Sequence, residues 1–161
     1  MRTSRPKRVA IIGSGTCDAA VCRTARTLGG LLARRGFTVV CGGLSGVMAA
    51  ACQGAKEAGG MTIGILPGED PAAANAYIDV PIVTGLGIAR NVLVVRNGDV
   101  VAAVAGAAGT LSEIGIALKL GRPVVAIGTY ATLPGVIPAA TPEEAAARLD
   151  ALAGGENGVA R

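Results

Sequence analysis

A glycine-rich turn in the middle of the chain carries the residues whose types and spacing could do chemistry. The uncharged run before it predicts a strand buried on both faces, and the turn itself spans Ala105–Gly109. A helix is expected to begin at Thr110, and the unpaired N–H groups at such a start form an anion site, usually for phosphate. Glu113 lies one turn inside that helix, where its carboxylate can reach a molecule held by the turn.

Two interpretations of Glu113 are open at this point. In the first, Thr110 is the N-cap and Glu113 is the third helical residue, so that Thr-Leu-Ser-Glu forms a capping box. In the second, Glu113 points into a cleft and handles a water molecule or a developing positive charge. Because capping boxes are common at helix starts, the local sequence favours the first interpretation.

The elements that must position these residues follow an α/β pattern in a single domain over residues 1–161. Strands are expected at 8–13, 37–41, 61–66, 79–83, 99–104 and 124–127, with helices in most of the intervening segments and a last helix from 141. This alternation indicates a Rossmann-like, doubly wound and mainly parallel sheet with helices on both faces. Residues 1–7 are expected to form a basic tail and residues 154–161 a frayed end.

Three glycine-rich turns are expected to meet at the edge where the parallel strands end, and so to form a nucleotide cleft. The first turn lacks the third glycine of a dinucleotide fingerprint, because Asp18 stands there, and no Walker A lysine follows any of the turns. An NAD or FAD enzyme and a P-loop ATPase are therefore disfavoured. The turn residues predicted to bind phosphate or nucleotide are Gly13, Ser14, Gly15, Thr16, Gly42, Gly43, Ser45, Gly46, Gly106, Ala107, Ala108, Gly109 and Thr110.

Composition excludes several classes of site and partner. The chain has no histidine and its four cysteines form no CxxC pair, so a metal site lacks ligands and a Ser–His or Cys–His couple is ruled out. We expect no bound metal and reduced, mostly buried thiols.

The net charge of +4 is modest and no aromatic residues interleave with the basic start, which argues against a nucleic-acid partner. Glycines and prolines interrupt both long uncharged stretches and no signal peptide is apparent, so we expect a cytoplasmic protein without membrane segments.

Five segments spread over about residues 8–128 carry a family resemblance. They are Gly42–Met48, Gly59-Gly60, Ile63–Pro67, Gly87–Asn91 and Ala105–Glu113. The last segment follows the signature P-G-G-x-G-T-x-x-E at Gly106, Gly109, Thr110 and Glu113, and departs from it at Ala105 and Ala107. Together these segments resemble the Lonely Guy (LOG) family, which is also called lysine decarboxylase-like.

The resemblance implies a dimerising Rossmann fold that hydrolyses the N-glycosidic bond of a nucleoside 5′-monophosphate to free base and ribose 5-phosphate, with no cofactor required. It implies catalytic roles for Glu113, which stabilises the sugar cation or orients water, and for Arg90, which binds the base or assists its departure. Asn91, beside Arg90, joins the expected ligand contacts. We expect a homodimer or higher homo-oligomer, formed through the apolar face around Val92–Val95.

The departures from the signature are closer to a sister branch of the family. Asn91 after Arg90, together with Ala105 and Ala107, resembles the branch that includes molybdenum cofactor carrier proteins and relatives of the DNA-processing protein DprA. That branch implies a protein that binds molybdenum cofactor, or another phosphorylated pterin or nucleotide, and does no chemistry. The hydrolase is therefore the first expectation and the carrier is the alternative.

Overall fold

A seven-stranded sheet forms the centre of the protein in a computed structural model that describes residues 5–155. Its strands are β1 (Lys7–Gly13), β2 (Phe37–Cys41), β3 (Thr62–Leu66), β4 (Val80–Val83), β5 (Val100–Val104), β6 (Val124–Ile127) and β7 (Ile137–Pro138). They lie in the order β4-β3-β2-β1-β5-β6-β7, and every neighbouring pair is parallel. The strand order reverses between β1 and β5, and this switch point is where ligands bind in open α/β sheets.

Helices cover both faces of this sheet. They are α1 (Ala19–Arg34), α2 (Val47–Glu57), α3 (Asn91–Asn97), α4 (Ala108–Lys119) and α5 (Pro142–Gly154). Two short 3-10 turns, Pro71–Ala73 and Gly87–Arg90, precede β4 and α3. Among the described residues no helix is both long enough and apolar enough to span a membrane.

Separate hydrophobic cores lie on the two faces of the sheet. Val9 and Ile11 of β1 pack in the core shared with α1, α2 and α5, whereas Ala10 and Ile12 pack in the core shared with α3 and α4. The alternation arises because successive side chains of a strand point to opposite faces. The predicted doubly wound, parallel α/β fold in a single domain is confirmed, with β7 as a further strand that the sequence did not predict.

Helices α1 and α2 touch backbone to backbone. A methyl group on Gly29 would lie 2.0 Å from the Ala51 carbonyl oxygen, and one on Gly54 would lie 1.8 Å from the Arg26 carbonyl oxygen. Only glycine allows so close an approach, since real side chains do not come within these distances. The pair therefore forms a rigid wall beside the turns that follow β1 and β2.

The cysteines differ from the sequence-based expectation. Cys17 and Cys22 form a disulfide across the start of α1, so the prediction of four reduced thiols is wrong for this pair. Cys41 and Cys52 are free and buried, and their sulfur atoms lie 3.5 Å apart. The five-residue spacing of the bonded pair is not a CxxC pattern, and only the fold of the turn brings the two together.

The predicted chain ends and the predicted dimer face also need correction. Residues 1–4 and 156–161 lie outside the described residues, but Lys7 belongs to β1 and Gly154 to α5. The side chains of Val94 and Val95 are fully buried in the core beneath α3. They cannot form the exposed apolar face that the sequence suggested for self-association.

Candidate ligand-binding cleft

A cleft of about 450 Å³ opens at the switch point, beyond the carboxyl ends of β1 and β5. It is lined by Gly13, Ser14, Gly15, Thr16, Met48, Arg90, Asn91, Ala107, Gly109, Thr110 and Glu113. All of these except Met48 were predicted from the sequence. Met48 is the second residue of α2, just after the glycines of the second turn. Its place in the Gly42–Met48 segment of the family resemblance was the signal that could have identified it.

The other predicted site residues do not line this cleft. They are Gly42, Gly43, Ser45, Gly46, Gly106 and Ala108. Several of them support its walls. Ser45 and Gly46 hold the turn after β1, Gly42 lies under the Arg90 guanidinium, and Gly106 sets the path into α4.

The first turn of α4 leaves its N–H groups without partners. The helix begins at Ala108 with Ala107 as its N-cap, and no side chain of the described residues caps it. The N–H of Leu111 donates to the Ala107 carbonyl at 3.0 Å, so the N–H groups of the preceding three helical residues have no helical acceptor. Gly109 and Thr110 of this turn line the cleft.

This start contradicts the capping-box interpretation. Thr110 is the third residue of α4 and not its N-cap, and it is buried. Glu113 is therefore the sixth helical residue and cannot fold back onto an N-cap N–H group. The carboxylate lines the cleft, as the second interpretation required.

The turn into α4 depends on its backbone path. Gly106 has φ +132°, and a methyl group there would lie 2.5 Å from the Thr110 side chain. Ala105 has φ +50°, which a proline could not adopt because its ring fixes φ near −65°. The Tyr130 hydroxyl donates to the Ala107 carbonyl at 2.9 Å and holds the turn from behind. Ala107 itself is extended, with φ −130° and ψ −157°, so its methyl group is accommodated without strain.

The turn after β1 is tied to α2 through its carbonyl groups. The Val47 N–H donates to the Ser14 carbonyl at 3.0 Å, and the Ser45 hydroxyl donates to the Gly15 carbonyl at 2.7 Å. Asp18 is the N-cap of α1, and its carboxylate accepts the N–H of Val21 at 2.8 Å. This helix start therefore already has an anion of its own.

Arg90 is buried and bonded mainly to backbone. Its Nε donates to the Ile65 carbonyl at 2.8 Å and its Nη2 to the Gly42 carbonyl at 3.3 Å, while Nη1 donates to the Asn91 side chain. A methyl group on Gly42 would lie 2.6 Å from Nη2, so the glycine makes room for the guanidinium. Arg90 thus joins the ends of β2 and β3 at the wall of the cleft.

Glu113 is buried without a hydrogen-bonding partner. Its exposed fraction is 8%, and within residues 5–155 its carboxylate forms no hydrogen bond or ion pair. Burial raises the pKa of this carboxyl to about 7, and the positive charge of Arg90 opposes the rise only in part. Near neutral pH the group can therefore accept or donate a hydrogen bond to a molecule in the cleft.

Metal binding has no support in the same region. Within the part of the chain that the structure describes, no three acidic or cysteine side chains are grouped as metal ligands would be. The cleft combines backbone N–H donors, one buried carboxyl group and one guanidinium. Such a set suits a phosphorylated organic molecule with polar edges.

Comparison with known proteins places this geometry in context. The model of the SLOG cluster4 family matches residues 6–151. An uncharacterized protein from Archaeoglobus fulgidus is 41% identical over 138 residues, which cover 86% of this chain and 91% of the relative. These matches do not confirm the expected assignment to the LOG hydrolases.

Two solved structures are similar over nearly their whole length. The molybdenum cofactor binding protein from Rippkaea orientalis has a TM-score of 0.88 and 36% identity, covering 93% of this chain and 99% of that one. The molybdenum cofactor carrier protein from Chlamydomonas reinhardtii has a TM-score of 0.84 and 37% identity, covering 92% and 98%. A more distant structure, DNA processing protein A from Helicobacter pylori, is 22% identical and shares the fold alone.

Proposed function

Because the chain belongs to the SLOG cluster4 family, we propose that it binds molybdenum cofactor, a phosphorylated pterin, in the cleft and carries it without chemical change. Two similar proteins are described as binding or carrying that cofactor, and both align over nearly the whole chain. In this proposal the cofactor is cargo, and the cleft at the switch point is its site. The carrier thus takes precedence over the hydrolase.

The observation that carries the proposal is the open start of α4. Its first N–H groups have no partner in the part of the chain that the structure describes, and Gly109 and Thr110 bring them to the cleft wall. Backbone N–H groups and the positive end of the helix dipole favour a phosphate group at such a place. The turn Ser14–Thr16 also lines the cleft, with its Ser14 carbonyl held by Val47 of α2 and its Gly15 carbonyl held by Ser45 just before that helix.

Glu113 supports the pterin half of the ligand. A pterin presents a ring N–H and an amino group side by side, and one carboxylate has two oxygen atoms to accept both. The Glu113 side chain is largely buried, but its carboxylate oxygens reach the cleft and have no hydrogen-bonding partner among the described residues, so a ligand can bond to them. We assign Glu113 the recognition of the pterin edge.

Hydrolysis of a nucleotide has less support. The resemblance implied that Arg90 binds the base of the substrate or assists its departure. In the structure its guanidinium donates hydrogen bonds to Ile65, Gly42 and Asn91. These bonds make Arg90 a positioning residue that fixes the wall of the cleft. The Glu113 carboxylate forms no hydrogen bond to the described residues, and a ligand-binding role uses its acceptors as well as catalysis would.

Self-association is part of the proposal, on a surface that shares only Val92 with the expected face. Ile88 is 87% exposed, and Leu86 and Val92 nearby are exposed as well. Copies of the chain are proposed to associate through these apolar side chains beside the cleft. Ile88→Asp should lower the mass measured by light scattering. An unchanged mass for this variant would overturn the interface.

The test of function is direct measurement of cofactor binding. Protein purified without added ligand should release a fluorescent pterin when denatured, and the emptied protein should bind added molybdenum cofactor under anaerobic conditions. Glu113→Gln should weaken binding about tenfold, because an amide offers one acceptor where a carboxylate offers two. Glu143→Gln, an exposed change on α5, is the matched control and should bind normally.

The same preparation separates the two functions. Incubation with AMP, GMP and CMP should release no free base if the protein is a carrier. Release of base, together with failure to bind molybdenum cofactor, would overturn the proposal and restore the hydrolase. Binding without release would leave the carrier as the function of the cleft.

A further inference from the structure

A second cavity lies on the other side of the turn that follows β1. It has a volume of about 530 Å³ and is larger than the cleft itself. Its walls come from the outer sides of α1 and α2, whose close contact fixes their spacing. Both volumes fall in the range of pockets that hold small organic ligands.

The two cavities adjoin at the turn that follows β1. Thr16 lines both of them. Gly46 sits directly beneath the turn, since a methyl group there would lie 2.4 Å from the Ser14 carbonyl oxygen and 2.6 Å from the Thr16 nitrogen. A ligand whose phosphate lies in the cleft can therefore reach the second cavity by crossing Thr16.

Unused polar groups converge on this second cavity. The Arg23 guanidinium forms no hydrogen bond or ion pair with residues 5–155. Arg26 beside it pairs with Glu57, with an Nη2 to Oε1 distance of 2.6 Å, whereas Arg23 has no carboxylate partner among the described residues. Gln53 donates its amide nitrogen to Glu57 at 3.2 Å, and its carbonyl oxygen accepts no hydrogen bond from residues 5–155.

An aromatic ring completes the set. Tyr77 lines the cavity with an exposed fraction of 37%, and in the described structure its hydroxyl has no partner. A free guanidinium suits a phosphate, an exposed aromatic ring suits the face of a base, and an amide oxygen suits the donor edge of a base. These three chemistries together are those of a nucleotide.

We propose that the second cavity binds the nucleotide half of a ligand whose phosphopterin half occupies the cleft. The preferred cargo is then a pterin joined through a pyrophosphate to a nucleoside, with the phosphate nearer the pterin at the start of α4 and the second phosphate directed past Thr16 toward Arg23. This inference rests on the proposed function and specifies its ligand class. It gives a role to Arg23, Gln53 and Tyr77, which the cleft does not use.

The experiment compares two probes under anaerobic conditions. Molybdenum cofactor in its monophosphate form and its guanine dinucleotide form are each titrated into the emptied full-length protein. The dinucleotide should bind about tenfold more tightly, and Arg23→Ala should remove that advantage without changing affinity for the monophosphate. Arg34→Ala, an exposed arginine of the same helix that lies outside this cavity, should leave both affinities unchanged.

A second variant tests the cavity by filling it. Ala49 lines it from α2, and Ala49→Phe should weaken binding of the dinucleotide while leaving the monophosphate unaffected. Equal affinity for the two probes in the parent protein, unchanged by both variants, would overturn the inference and leave the carrier function intact. Failure of both probes to bind the parent protein would overturn the carrier function as well.

Discussion

Helices α1 and α4 both begin at the switch point, and they treat their first N–H groups in opposite ways. Asp18 caps α1 with its own carboxylate, whereas Ala107 leaves the start of α4 uncapped. In sequence the turn before α1, with its Gly13-Ser-Gly pattern, looks more like a phosphate-binding loop than the alanine-rich turn before α4. The residue at the N-cap, and not the count of glycines, therefore decides which helix can receive an anion from outside.

The largest difference between the two turns should lie in their tolerance of a methyl group. Gly106→Ala places a side chain at φ +132° and 2.5 Å from Thr110, so it should lower the free energy of unfolding by about 3 kcal/mol. Gly15→Ala meets no atom closer than 4.0 Å, at Ser45, and should change stability by less than about 0.5 kcal/mol. Urea denaturation measures the free energy of unfolding of both variants. Equal losses of stability would show that the two turns are equally constrained.

The buried acid of α4 should make stability depend on pH. The pKa of Glu113 is raised to about 7 in the folded protein, so the folded state favours the protonated carboxyl group. The stability that this group contributes is therefore complete below its unfolded pKa and is lost as the pH rises through 7. Between pH 5 and pH 8 the loss should be about 2 kcal/mol. Glu113→Gln should flatten this profile. Helix α1 has no acidic residue between Ala19 and Arg34 and adds no comparable pH dependence. If Glu113→Gln left the dependence of stability on pH unchanged, the raised pKa would not belong to Glu113.

A cap added to α4 should make it resemble α1. Ala107 already has the extended backbone of an N-cap, so Ala107→Asp should raise stability by about 1 kcal/mol. The new carboxylate would occupy the N–H groups and repel phosphate, and affinity for molybdenum cofactor should fall about tenfold. Calorimetric titration checks the affinity, with Ala107→Ser as an uncharged cap for comparison. Unchanged affinity with Asp would place the phosphate elsewhere in the cleft.

The reciprocal change on α1 should have the smallest effect. Asp18→Ala removes the bond to the Val21 N–H and should lower the free energy of unfolding by about 1 kcal/mol without weakening cofactor binding. Asp18→Asn keeps an acceptor at the same place and should restore most of the loss. A fall in affinity with Asp18→Ala alone would mean that the α1 start takes part in binding.

The fold could be predicted because its signals are local and repeated. Apolar runs such as Val9–Ile12 ended at glycine turns, and helical spacing of Leu28 and Leu32 marked the buried side of α1. The order and direction of the strands then followed from the rules for parallel sheets. Strand β7 was not predicted because it is only two residues long and contains Pro138.

The details of the cleft depended on contacts between distant segments. Residue type favoured Thr110 over Ala107 as a cap, but the backbone path at Gly106 starts the helix earlier. The family resemblance implied a ligand contact for Arg90, and no local pattern shows that the Gly42 and Ile65 carbonyls lie within its reach. Sequence reasoning therefore located the cleft and misjudged how its residues are held.

The two tyrosines give the molecule built-in optical reporters. The chain contains no tryptophan, so Tyr77 and Tyr130 dominate its intrinsic near-ultraviolet fluorescence over the weak emission of Phe37. Tyr130 bonds to the turn at the cleft, and Tyr77 lines the second cavity. Tyr130 thus reports on the cleft and Tyr77 on the second cavity. Replacing either one by phenylalanine leaves a single tyrosine, whose quenching on addition of a coloured pterin would report which of the two sites fills first.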